Sequence, residues 1–359
     1  MAKSIAEILG YETLTRAVQD PRNGLPTANL PAGFFNLTVP VAGQVSSYMK
    51  TPTTRETAKL TGYESPSREG NPVGMTKVPV TLIHAKEHRN YGAILLTQIN
   101  NMEDTRAQRM AEQEIGRQTL ELRRKFSNLR RNAVYSMLGL GHIYFNSNGD
   151  LLHSSSGNAV DVSYSPVTGN ANIGTWNTTS ADIAGQLWAI KQAYNQDHGL
   201  NITDVIYGKN IVNYLALNDS FKSLINGNQG FAASFGANKV PNGFQDLTWW
   251  SGHDIWMEDK DGTNRLLIGN NQVTFLAQPS PEWYEMQEGS YIVPTDIGNV
   301  AGDAQAALSN FNEVNGMFSY ATITNDPPGI KQVVGDTFLP VAKVPGSLRI
   351  CTDVTAAAS

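Results

Sequence analysis

The chain has 359 residues, 40% of them hydrophobic and 16% charged, and carries a formal net charge of −5. That length supports a core of two or three structural units, while an acidic balance with a pI near 5.7 excludes a whole-surface nucleic-acid binder. Its one cysteine, Cys351, excludes an intrachain disulfide framework and any multi-cysteine metal centre, and sits in an alternating segment that predicts a small buried side chain.

The N-terminus lacks the apolar run of a signal peptide and no stretch of about 18 apolar residues follows, so neither export nor a membrane span is predicted. Residues 1–45 open with a short amphipathic helix (Ile5, Ile8, Leu9). Pro21, Pro26, Pro31 and Pro40 then forbid a long helix or central strand. With Leu30, Phe34, Phe35, Leu37, Val39 and Val41 the segment is too apolar for a free tail, and predicts an arm laid over another surface. Between 46 and 100 the alternating runs Met75–Ile83 and Tyr91–Ile99 predict strands beside a polar excursion, Thr51–Asn71: a protruding β-loop.

Residues 103–138 form the strongest element, free of proline and broken only by Gly116. A helix of that length spans roughly 54 Å. Its apolar stripe runs through Ala107, Ala111, Ile115, Leu122, Phe126, Leu129, Ala133 and Met137, and Gly139 and Gly141 end it. A hairpin follows around Asn148-Gly149, between His142–Phe145 and Leu151-Leu152, and 154–178 read as loop. Thr179–Asp182 cap a helix with Ile183, Leu187, Ile190 and Tyr194 on one face, ending near Gly199. Thr203–Tyr207 is a strand, Lys209–Ile225 a further helix, and 226–243 a Gly- and Asn-rich loop. Strands resume at Asp254–Glu258, Arg265–Ile268, Met317–Ile323 and Phe338–Val341.

Four patterns invite chemistry. His84-Ala85-Lys86-Glu87-His88 matches H-x-x-E-H, the basis for an alternative reading as a metal-dependent hydrolase using His84, Glu87 and His88. That chemistry needs a helix, whereas the flanking Val78–Ile83 alternates and contains a proline, which predicts a strand. Asp259-Lys260-Asp261-Gly262 resembles the start of a calcium loop, but the twelfth position is Asn270, so a hairpin turn is predicted. Arg106, Arg117, Arg124 and Arg131 fall on one line of the long helix, with Arg109, Arg123 and Arg130 near them. This ridge could meet phosphates, giving a second alternative as a soluble nucleic-acid-binding protein, or acidic patches of another chain. It could equally be a solvated face laced with Glu103, Glu114 and Glu121. Trp249, Trp250 and Trp256, beside His253, suggest a stacking platform or, more simply, core. No nucleophile motif or phosphate loop occurs, and no cofactor or metal is implied.

The order of elements, arm, β-loop, very long helix, α/β unit and late strands, resembles the capsid fold of tailed bacteriophages. Leu120–Lys125 through Met137–Gly141, Trp176–Asp182 with Thr203–Gly208, and Asn325–Pro328 before Leu339–Val341 and Pro345–Ser347 are similar to the lambda-like major capsid protein E family, over about residues 75–352. The resemblance implies an α+β chain with an N-terminal arm (1–45), an extended β-loop (46–100), a peripheral domain on the spine helix (101–155), an axial α/β domain (156–322) and a C-terminal return to the peripheral domain (323–359). It also implies a non-enzymatic head protein, made in the host cytoplasm, that assembles as hexamers and pentamers of an icosahedral virion shell around double-stranded DNA. Portal, scaffolding and decoration proteins are the further partners implied, and no membrane.

Overall fold

The computed structural model describes residues 9–20, 34–35, 38–42, 45–50, 76–100, 105–164, 167–168, 173–258, 262–280, 283–294, 311–325, 328–344 and 346–356. In chain order the elements are α1 (Tyr11–Gln19), β1 (Thr38–Val41), β2 (Val45–Lys50), β3 (Thr76–Thr81), β4 (Ile83–Gly92), α2 (Ala93–Asn100), α3 (Thr105–Leu140), β5 (His142–Phe145), β6 (Leu151–Leu152), β7 (Val160–Ser163) and β8 (Val167–Thr168). Then come α4 (Ile183–His198), β9 (Ile202–Tyr207), α5 (Ile211–Leu217), α6 (Asp219–Gly227), α7 (Gln229–Gly236), β10 (Thr248–Ser251), β11 (Trp256–Glu258) and β12 (Asn264–Leu266). β13 (Val273–Ala277), β14 (Tyr284–Pro294), β15 (Phe311–Asn315), β16 (Phe318–Asn325), β17 (Pro328–Ala342) and β18 (Leu348–Cys351) complete the chain.

The long helix is real, 36 residues from Thr105, and its predicted stripe faces inward. Ala111, Ile115, Leu122, Phe126, Ala133 and Met137 are all buried. Gly141 ends it at φ 71°, its amide donating to Met137 O. The last carbonyls are satisfied from elsewhere: Thr274 Oγ1 donates to Leu138 O at 3.1 Å and Gln272 Nε2 to Gly139 O at 2.6 Å.

α3 lies along a six-stranded sheet in which β14 and β17 are central, β16 and β4 flank β17, and β1 and β15 pair with β14. Residues of odd number in β4 and even number in β17 point toward α3, because successive strand side chains alternate. The opposite face carries His84, Tyr291, Phe318 and Tyr320, with neighbouring rings stacked 4.3–6.4 Å apart. The second sheet, β10-β9-β13-β18-β8, is covered by α4 to α7 over a separate core that includes Trp176, Tyr194, Phe221, Phe244 and Trp249. Asp182 caps α4 by accepting from Gly185 N, and Gly199 closes it at φ 68°. Cys351 is buried in β18.

Several expectations change. Tyr91–Ile99 is strand only to Gly92 and then turns into α2; in so short a segment the apolar stretch Ala93–Leu96 fits either form. The loop 154–178 contains β7, which pairs with β5. Lys209–Ile225 is two helices, because buried Asn218 leaves the helical conformation at ψ 131° to accept from Ser220 N and donate to Ala181 O. The loop 226–243 contains α7, capped by Asn228. The sheets also divide the chain differently from the boundary at 322: β14 to β16 join β17 beside α3, while β18 lies in the second sheet. The helix around Ile5 and Ile8, the polar excursion Thr51–Asn71, Glu103 and Asp259–Asp261 lie outside the described residues. No helix among the described residues is long and apolar enough to cross a membrane.

Candidate functional site

The H-x-x-E-H motif lies on β4, paired residue for residue with β17. His84 and His88 share one face about 13 Å apart, and Glu87 points to the other, so the three cannot meet one ion. Instead His84 Nδ1 bonds Thr337 Oγ1 at 2.7 Å, its ring stacks on Tyr291 at 5.3 Å, and Glu87 Oε2 accepts from Lys125 Nζ on α3 at 2.6 Å. Burial first, then the charge of Lys86, holds the His84 pKa below its ordinary value. Lys86 itself lies 3.9 Å above the Tyr291 ring. Among the described residues no group of three His, Cys, Asp or Glu side chains could hold a metal.

The arginine ridge is only partly open. Arg106 and Arg124 are exposed, and Arg131 is half-buried against Asn132 Oδ1 at 3.3 Å. Arg117 is taken up by Glu114, at 2.7 Å, and by Glu121. The bond from Arg117 pulls the Glu114 carboxyl down to about 2, and Glu114 in turn raises the guanidinium. Arg123 and Arg130, which the sequence places near the ridge, turn inward. Arg123 is 5% exposed and donates to Val18 O of α1, while Arg130 grips Asp336 of β17 and Glu288 of β14. Each sits one residue, about 100°, from a ridge arginine, at the border of the apolar stripe. That border position was the available signal.

The three tryptophans go separate ways. Trp249 is buried and donates to Phe244 O, Trp250 donates to Asp204 Oδ1, and Trp256 is 49% exposed. Trp256 edges an open cleft of about 780 Å³ between β4, the second half of α3 and the β5–β6 and β11–β12 hairpins, lined also by Glu87, Lys125, Arg131, Asp150 and Glu258. Of the four ridge arginines only Arg131 reaches it. β11 and β12 pair as the antiparallel strands of the hairpin predicted there.

The described surface thus holds structural ion pairs and strand edges. β2 and β3 form a two-stranded sheet of their own, with six residue pairs from Val45↔Thr81 to Lys50↔Thr76. Both ends of that ribbon leave the compact sheets, and it brackets residues 51–75.

The family model described as phage major capsid protein E matches residues 11–345. No curated protein matches the chain. Among solved structures, a protein assigned as a prophage capsid protein of Escherichia coli CFT073 aligns with a TM-score of 0.53 at 12% identity, covering 96% of this chain and 99% of that one. A phage-related protein of Bordetella bronchiseptica RB50 gives a TM-score of 0.48 at 10% identity over 96% and 98%. A Gordonia phage Cozz chain gives 0.44 at 13% over 90% and 85%.

Proposed function

The chain belongs to the phage major capsid protein E family, a structural protein of the virion shell and not an enzyme, and from that premise we propose how its parts serve assembly. The unit built on α3 and its six-stranded sheet acts as the peripheral domain, and the α4 to α7 unit with its five-stranded sheet as the axial domain. Repeated head-to-tail contacts between such subunits close into rings when the rotation permits, which suits hexamers and pentamers of an icosahedral shell. Portal, scaffolding and decoration proteins, and the enclosed double-stranded DNA, complete the partners, with synthesis in the host cytoplasm. The exposed Arg106 and Arg124, the half-buried Arg131, and Arg117 in its pair with Glu114 serve as contacts to a neighbouring subunit or to DNA.

The observation that carries this reading is the separate β2–β3 ribbon. A lone two-stranded ribbon is marginal in water, and its two outer edges offer unpaired main-chain groups. A neighbouring copy beneath it supplies the missing surface, so of the expected loop 46–100 it is the ribbon and the segment it brackets that reach over an adjacent subunit, since β4 and α2 pack in the subunit's own sheet and helix layer; of the expected arm 1–45, α1, Phe34, Phe35 and β1 likewise pack on their own chain. Negative-stain microscopy of the expressed protein, with its scaffold if required, tests this: shells, tubes or capsomer rings are expected. Replacing residues 51–75 by a short turn should leave a folded subunit that no longer assembles. A monomer at high concentration under all conditions, or shells unaffected by that deletion, would overturn the reading.

A further inference from the structure

β4 forms one outer edge of the six-stranded sheet. Its ten residues, Ile83–Gly92, pair with β17 and with no other strand among the described residues, so the far side of β4 offers a row of main-chain donors and acceptors. Lys86 to Asn90 are all exposed there. The strand contains no proline, and its register with β17 is unbroken from Ile83 to Gly92, so neither a proline nor a bulge blunts the edge. Charge is the remaining guard, and its pattern singles out a partner.

Glu87 and Arg89 lie on the α3 face, where Glu87 accepts from Lys125 at 2.6 Å and Arg89 lies 3.8 Å from Glu121. Lys86, His88 and Asn90 lie on the other face. Suppose a second copy extends the sheet antiparallel across this edge. Directly opposed residues share a face, so keeping both α3 helices on one side requires a two-fold axis normal to the sheet, through a residue. Axes through Lys86, Glu87 or Arg89 each set a charge against its own copy. The axis through His88 instead sets Glu87 against Arg89 of the second copy, the reverse pair likewise, and Lys86 against Asn90. Across that seam the α3 face carries Lys125, Glu87, Arg89 and Glu121 in alternating sign, the first two from one copy and the last two from the other. Ile94, 80% exposed and the most exposed large apolar side chain among the described residues, follows two residues after β4, at the end of the seam.

We propose that β4 is a self-pairing edge: in the shell, β4 of one copy adds antiparallel to β4 of a second copy about a two-fold axis at His88, joining their sheets. This rests on the shell reading and goes beyond it. Head-to-tail contacts close a ring but leave one ring unjoined to the next, whereas an isologous contact, the same patch on both partners, links subunits of two rings.

The sole native cysteine is buried, so an introduced one reports alone. His88→Cys, assembled and then oxidised, should give a disulfide-linked dimer, because residues opposed on antiparallel strands fall within disulfide reach, about 4.4–6.8 Å between Cα atoms. Lys86→Cys should not, since four residues of offset hold the two copies of that position about 13 Å apart. Adding Glu87→Arg to His88→Cys sets arginines against each other and should cut the dimer several-fold; adding Arg89→Glu as well should restore it. Shells of His88→Cys that yield no dimer overturn the pairing while leaving the shell reading standing. Equal linkage from Lys86→Cys, or a yield indifferent to Glu87→Arg, overturns it too. Absence of any shell from the parent chain instead refutes the reading beneath it.

Discussion

The guanidinium of Arg130 on α3 forks onto the carboxylate of Asp336 on β17, Nε to Oδ2 and Nη2 to Oδ1, both at 2.6 Å. Its third corner donates to Glu288 of β14 at 2.7 Å, so one residue ties the helix to the two central strands. Burial by itself would lower the Arg130 pKa, but the two carboxylates outweigh it and keep the cation. Asp336 is fully buried, which raises its carboxyl, with Glu288 adding to the effect. Arg130→Met should therefore cost about 3–5 kcal/mol, because it strands a buried carboxylate. Arg130→Met/Asp336→Leu should recover most of that loss. Urea titration of the unassembled subunit measures both; a double variant no more stable than the single one would show that the fork is not what holds the helix down.

His84 gives the subunit a pH dependence. Held neutral by burial and by Lys86, it has a folded pKa below the 6.5 of the free side chain. Its contribution is fully present above pH 6.5, where neither state is protonated, and is lost as pH falls from 6.5 through the folded pKa, because the unfolded chain binds the proton first. His84→Gln keeps a partner for Thr337 and removes that titration. Stability measured at about pH 7.5 and about pH 5.5 should fall less in the variant than in the parent. An identical fall in both would place the acid sensitivity elsewhere.

The long helix was legible because its own residues carry its period, and α4 because Asp182 and Gly199 mark its ends. β17 was not. Only Phe338–Val341 of its fifteen residues reads as strand, since Gln332, Asp336 and Thr337 interrupt the apolar pattern. All three are buried, and each is satisfied by a residue distant in sequence: Thr119, Arg130 and His84. A local pattern cannot register partners some 200 residues away. The inward turn of Arg123 and Arg130 was marked only by their place at the border of the apolar stripe, whereas the strand nature of His84–His88 was readable from the alternating, proline-containing Val78–Ile83.

Two glycines of α3 should respond oppositely to alanine. Gly116 is exposed, and a Cβ there meets nothing within 4 Å. Gly116→Ala should add about 0.5–1 kcal/mol by removing backbone freedom from the unfolded chain. At Gly139 a Cβ would lie 2.2 Å from Leu267 O and 2.9 Å from Ile268 Cδ1, both on the segment between β12 and β13. Gly139→Ala should cost about 1–3 kcal/mol, since the helix end must move off that backbone. Thermal unfolding of the two variants side by side decides it; equal shifts of the same sign would refute the close approach at Gly139.

Gln332, in the middle of β17, holds a buried hydrogen-bond cluster under α3. Its Oε1 accepts from Tyr91 Oη, and its Nε2 donates to Thr119 Oγ1 at 3.0 Å and to Ser319 Oγ at 3.1 Å. Burial pushes the Tyr91 phenol up to about 12, so it remains a donor throughout the physiological range. Gln332→Leu has similar bulk but leaves the Tyr91 hydroxyl without its Gln332 acceptor in a dry site, while Ser319 Oγ keeps Val333 O, a loss of about 1–3 kcal/mol. Thr119→Val removes one member whose hydroxyl also bonds Ile115 O, and should cost nearer 1 kcal/mol. Because both changes act on one cluster, the double variant should lose less than the sum of the singles. Strict additivity in urea titrations would mean that α3 rests on the sheet through its apolar stripe alone.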